Sequence, residues 1–310
     1  MDNQASGPLV IRLCNWVGEV VLSVPTLRRL VDSGYDLHLY GKSWSPALLE
    51  GMGLPVLVRP SGLKAATQAL RALRTDLGLR PPALLMTKSL SSAIEARLAG
   101  LRPAGYAHDG RSVLLSSAYP MPRFEHASHA YWHLASRLLG SDAPYPTEIG
   151  LHPSPTQRVR ALEVIRRLGL EAGAFALFCP WSGPDDGKRR KVWPGFAALA
   201  GALAASRVPI VICPGPGEEL AAGAILATAV QLKDIDLGVY AALQKLARVV
   251  IANDTGPGHL AAAVGARLVS IYGPQSTASW VPLGRNVQLL RESTGWPTVD
   301  KVAAAALGER

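Results

Sequence analysis

Along this chain, short runs of Val, Ile and Leu alternate with longer stretches whose apolar residues recur every three or four positions. The first pattern predicts strands and the second amphipathic helices, and their alternation predicts βαβ units around parallel sheets. The opening strand is expected at 9–14, followed by a turn through Asn15, Trp16, Val17 and Gly18 and a helix over 19–30 that stops before Gly34. Further strands are expected at 36–40, 56–58 and 83–87, alternating with helices at 64–77, 91–98 and 129–139.

Between residues 141 and 155 the periodicity lapses and prolines gather (Pro144, Pro146, Pro153, Pro155), which marks a domain boundary. After a helix at 156–168 the alternation resumes. Strands are expected at 175–179, 209–213, 249–252 and 267–272, and helices at 194–205, 218–227, 237–246, 258–264 and 299–307. The expected fold is α/β, with one Rossmann-like domain over 1–153 and another over 154–310, each built on a parallel sheet. The last helix, 299–307, is expected to pack back on the first domain. Ligands of open α/β sheets lie beyond the carboxyl ends of the strands, so the loops there are the places to look for chemistry.

Composition narrows the function classes. No apolar run approaches the roughly 20 residues of a membrane-spanning helix. The first eight residues lack the basic and then apolar layout of an export signal, so a cytoplasmic protein is expected. Cys14, Cys179 and Cys213 are far apart and show no CxxC spacing, which fits core thiols better than disulfides or a zinc site. The net charge of +9 is spread evenly: 15 Lys/Arg against 11 Asp/Glu in residues 1–150, and 17 against 12 in 151–310. With neither a concentrated patch nor a recognisable module, a nucleic-acid partner is not expected. A diffuse basic balance suits an anionic substrate or the surface of an anionic membrane. No GxGxxG follows the first strand, and GxxxxGK[ST], HExxH and GxSxG are absent, which removes the commonest dehydrogenase, NTPase, zincin and serine-hydrolase readings.

The strongest constellation is Asn253-Asp254-Thr255-Gly256-Pro257-Gly258-His259, between an expected strand and helix. Glycines permit a tight loop, and N–H groups at a helix start form an anion site. Thr255 adds a hydroxyl, and His259 in the first turn a further donor. A second loop runs from Cys179 through Ser182 and Gly183 to the cations Lys188, Arg189, Arg190 and Lys191, before Val192-Trp193-Pro194. It suits a diphosphate, with Lys191 nearest the next helix; a charge run is also the ordinary make-up of a solvated surface. At a third strand end, Cys213-Pro214-Gly215-Pro216-Gly217 leads to Glu218 and Glu219, which either hold ribose hydroxyls or serve the helix start by their charge. In the first domain Glu19 follows Gly18, where a carboxylate acts either as a general base or as an ordinary first-turn Glu.

Three segments resemble glycosyltransferase family 9, the lipopolysaccharide heptosyltransferases. They are Arg12-Leu13-Cys14-Asn15-Trp16-Val17-Gly18-Glu19 with Leu22-Ser23-Val24-Pro25, then Lys191-Val192-Trp193-Pro194, and Asn253 through Ala263 with Tyr272-Gly273-Pro274. The Asn-Trp-Val-Gly start, Ser92-Ala93, Gly105-Tyr106 and Arg111 are closer to the heptosyltransferase II branch. The resemblance implies a GT-B fold, two Rossmann-like domains facing across a cleft, with the acceptor on the first and ADP-heptose on the second. It implies inverting transfer to the lipid A/Kdo inner core of lipopolysaccharide, without a metal or other cofactor, by a protein resting peripherally on the inner membrane. Carried over by position, Asp254, Thr255, Gly256 and His259 line the donor with Ser182. Lys191 neutralises the leaving diphosphate, Glu218 or Glu219 meets the ribose, and Asn15, Trp16, Lys88 and Arg111 serve the acceptor.

The chain departs from the family at two places. Glu19 stands where the family has aspartate, and one methylene moves a carboxylate by about an ångström, a shift that costs on the order of 100-fold in rate when uncompensated. Gly258 stands where a bulkier residue precedes the histidine. A transferase for another nucleotide sugar or acceptor, or a non-catalytic nucleotide-sugar-binding module, remains open at this point.

Overall fold

The computed structural model describes residues 7–78, 80–181, 192–215, 217–219, 222–223 and 226–308. The chain divides into two units, one ending at Pro146 and the other starting at Thr147. The division falls earlier than the expected 153–154 because the intervening residues are tied to the second unit. The Leu151 N–H donates to Ala263 O at 3.0 Å, and Glu148 pairs with Arg285.

The first unit runs β1 (Gly7–Arg12), α1 (Val17–Asp32), β2 (Tyr35–Gly41), α2 (Ser45–Leu49), β3 (Val56–Val58), α3 (Leu63–Asp76), β4 (Pro82–Leu85), α4 (Leu90–Leu98), β5 (Arg102–Tyr106), β6 (Ser117–Tyr119) and α5 (Ala127–Leu139). Its strands are parallel, in the order β3-β2-β1-β4-β5-β6. The second unit runs α6 (Pro155–Arg167), β7 (Ala176–Cys179), α7 (Phe196–Ala205), β8 (Ile210–Ile212), β9 (Val230–Gln231), α8 (Leu237–Leu246), β10 (Val249–Asn253), α9 (Gly256–Ala263), β11 (Leu268–Tyr272), β12 (Val287–Arg291) and α10 (Val299–Leu307). It repeats the arrangement as β9-β8-β7-β10-β11-β12, again parallel. Both are Rossmann-like sheets, and in each the winding reverses beside the first strand, between β1 and β4 and between β7 and β10. Loops diverge at such a switch point and leave a crevice.

The aliphatic runs form the inner strands. Every residue of β7, β10 and β11 is buried, as expected of strands covered on both faces. Helix α6 starts on a capping box: Ser154 Oγ accepts from Gln157 N–H at 3.1 Å while Gln157 Oε1 accepts from Ser154 N–H at 2.9 Å, with Pro155 in the first turn. Part of the expected helix at 218–227 lies outside the described residues. Helix α10 packs on α7 of its own unit. Val302, Ala305 and Ala306 join the core around Phe196 and Leu199, and Arg267 donates to the Ala305 and Ala306 carbonyls. Among the described residues no helix is long and apolar enough to cross a membrane.

Candidate active site

In the second unit the switch point lies between the ends of β7 and β10. Asn253 closes β10 with its side chain wholly buried. Its Nδ2–H donates to Pro180 O, and its Oδ1 accepts from Trp193 N–H at 3.2 Å. One amide therefore holds both the exit from β7 and the return of the chain toward α7. Ser182 and Lys191, the donor-side candidates in between, lie outside the described residues. Trp193 is fixed further by its Nε1–H, which donates to Pro297 O at 2.9 Å, and by Phe196, edge-on at 5.3 Å. Gly195 makes room for that ring, since a Cβ there would come within 2.2 Å of it. The Trp-Pro-Gly part of this segment is thus structural.

Beyond Asn253, Thr255 is the N-cap of α9. Its Oγ1 accepts from Gly258 N–H at 3.4 Å, and its carbonyl takes the N–H groups of Gly258 and His259 at 3.1 and 3.3 Å. Pro257 brings no N–H, so the donors this terminus offers a ligand are narrowed to the Thr255 and Gly256 amides. Gly258 brings the helix close to the strand: a Cβ would sit 3.3 Å from Asn253 O and 3.5 Å from Ala252 Cβ. Its substitution for a bulkier residue tightens the junction instead of loosening it. Asp254 is buried, with Tyr272 Oη 3.3 Å from its Oδ1. The single phenolic proton is shared with Trp280 O at 2.6 Å. Burial, then the Asp254 charge, raises the Tyr272 pKa, so the phenol stays neutral. His259 is buried with its ring edge-on to Trp280.

At the end of β8, Glu218 Oε2 accepts from Gly215 N–H at 2.8 Å and Glu219 Oε2 from Gly217 N–H at 2.9 Å. Both carboxylates brace the Gly-rich turn, which is the local role their charge alone suggested.

In the first unit the corresponding switch point holds Glu19, Asn15, Trp16 and Lys88. Trp16 is the extended N-cap of α1 and Glu19 lies in its first turn. Asn15, Trp16 and Lys88 are exposed, and Arg12 Nη2–H donates to Asn15 Oδ1 at 2.8 Å. Glu19 is half-buried. Burial raises its carboxyl pKa above the ordinary range, while Lys88, the Tyr131 hydroxyl and the N–H groups of Trp16 and Asn15 pull it back.

Arg111 does not share that exposed rim, and its expected acceptor contact is corrected to a buried structural one. Fully buried, it donates from Nε to Tyr106 O at 2.9 Å and from Nη1 to Thr87 O at 2.7 Å and Ser89 O at 3.3 Å. It grips the carbonyls on either side of Lys88 and so fixes the loop that carries it. Gly105 admits the guanidinium, since a Cβ there would lie 2.9 Å from Nη2.

Residues 65–307 match the model of glycosyltransferase family 9 (heptosyltransferase). The chain belongs to this family. It is a family 9 glycosyltransferase with the two α/β units of the GT-B class. E. coli ADP-heptose lipopolysaccharide heptosyltransferase II shares the fold at 21% identity, with a TM-score of 0.80 over 97% of this chain and 99% of that one. E. coli heptosyltransferase WaaC with ADP is 20% identical, with a TM-score of 0.76 over 98% and 100%. The same enzyme with ADP-2-deoxy-2-fluoro heptose is 21% identical, with a TM-score of 0.70 over 97% and 98%. No curated protein sequence matches the chain.

Within this family 9 site, three side chains escaped the sequence reading. Asn253 and Tyr272 lie inside recognised motifs, yet their contacts join segments distant along the chain. Tyr131 reads as one more apolar position of α5, and no local signal marks it.

Proposed function

We propose that this family 9 enzyme transfers heptose from ADP-heptose to the inner core of lipopolysaccharide with inversion, using no metal. Glu19 takes the proton from the acceptor hydroxyl as its oxygen attacks the anomeric carbon. The bond from that carbon to the diphosphate breaks, and ADP departs with the electron pair. Lys191 and the Thr255 and Gly256 amides meet its charge, the part a metal plays elsewhere. Asp254 and His259 line the sugar side, Ser182 assists the diphosphate, and Glu218 or Glu219 reaches the ribose.

The observation that carries the donor half is the α9 terminus at the second switch point, where the Thr255 and Gly256 amides follow Asn253, whose amide holds Pro180 and Trp193. The structures of WaaC with ADP and with a fluorinated ADP-heptose support an ADP-linked donor for this relative. An amphipathic, anionic acceptor is supported by the first unit. Exposed Trp16, Leu63, Leu90, Val113 and Met121 lie in or just after the segments that leave its strand ends, with Lys42, Lys64, Lys88 and Arg123 among them. Among the described residues, the large exposed apolar side chains of the second unit are Val159, Leu162, Leu168 and Leu289, none at a strand's carboxyl end. These apolar and basic side chains at the first unit's strand ends favour a lipid-linked acceptor at the membrane surface over a soluble one.

A thermal-shift panel of ADP- and UDP-linked sugars tests the donor, because a ligand that binds only the native state raises Tm. ADP-heptose is expected to give the largest shift. A shift with a UDP-sugar and none with ADP-heptose points to the transferase with a different donor.

A further inference from the structure

We propose that Tyr131 is the positioning residue of the base: its hydroxyl orients the Glu19 carboxylate for the incoming substrate hydroxyl. The proposal rests on the reading of Glu19 as the base. Tyr131 lies on α5, which packs against α1, and only 4% of it is exposed. Its one polar atom donates to Glu19 Oε1 at 3.4 Å and also neighbours the Cys14 thiol. A phenol buried this deeply needs such a partner.

Glu19 sits in the first turn of α1, where the backbone at Asn15 and Trp16 also favours its charged form. An ionised carboxylate has about four lone-pair positions, so the Tyr131 hydroxyl on Oε1 leaves room for a further donor. The other groups facing it are Lys88 at the end of β4, whose charge favours the carboxylate, and Cys14, whose thiol burial keeps protonated. Replacing Tyr131 changes neither Lys88 nor the first turn of α1 in sequence, so the contribution of the phenol can be read separately.

Tyr131→Phe keeps the ring and removes the donor. Carbon-13 NMR titration of the Glu19 carboxyl, done without donor or acceptor, is expected to show its midpoint rising by about one pH unit, the tenfold change typical of losing a hydrogen bond to a charged group. The acid limb of kcat/KM should move up with it, while KM for the donor stays unchanged. If Tyr131→Phe does not fold, 3-fluorotyrosine at position 131 retains the hydroxyl as a stronger donor, and the midpoint should fall. A Glu19 midpoint unmoved by these replacements overturns the proposal. A moved midpoint in a protein that transfers no sugar keeps the Tyr131–Glu19 coupling and removes the base reading instead.

Discussion

At the first turn of α1, Glu19 holds a carboxylate partly out of water, and burial raises its pKa more than Lys88, Tyr131 and two backbone donors lower it. An acid with a raised folded-state pKa binds its proton more tightly in the native state. Its contribution to stability is therefore full below the unfolded pKa and is lost as pH rises through the folded one. Glu19→Gln is accordingly expected to raise Tm at about pH 8, with the gain vanishing near pH 4, where wild-type Glu19 is itself neutral. With Glu19 as the proposed base, the same change should also lower kcat by about 100-fold or more. Calorimetry at the two pH values, with steady-state rates, checks both; a lower Tm at pH 8 with full activity contradicts them. Glu19 was legible from its place after Gly18, but its surroundings were not. Tyr131 is 112 positions away, and Arg111 looked like a surface cation because nothing local shows that Gly105 opens an interior place for it.

The loop between β10 and α9 shows how a few residues can join several elements. Asn253 satisfies a carbonyl after β7 and an N–H before α7, both buried beside it. Asn253→Ala is expected to destabilise the fold by about 1–3 kcal/mol for each group left unpaired. The Trp193 amide should also lose its protection from hydrogen exchange. Urea unfolding and exchange at that amide measure the two effects, and unchanged protection at Trp193 would show that the tie is not needed. The strands at this level were readable wherever Val, Ile and Leu run together, as in β1, β7, β10 and β11. Strand β5 was not, because Arg-Pro-Ala-Gly-Tyr carries a proline and the glycine that accommodates Arg111. The edge strands β6, β9 and β12 were missed because short or half-exposed edges lack a continuous apolar run.

Over the whole chain, two units repeat one strand order, and each places its candidate chemistry at its own switch point. The alternating pattern and the proline-rich stretch announced two α/β units. The strand order needed the pairing between distant segments, and the true division needed the contacts that tie 147–153 to the second unit. Under the proposed function the first unit supplies the base, Glu19, and the second grips the diphosphate. The proposed reaction moves heptose from ADP to a lipid-linked core. Its most direct test is incubation of the wild-type enzyme with ADP-heptose and truncated lipopolysaccharide acceptors, followed by mass spectrometry of the lipid. The expected result is an acceptor heavier by one heptose, formed without added metal and absent with Glu19→Gln; intact donor and unmodified acceptor after prolonged incubation, with ADP-heptose demonstrably bound, would contradict it.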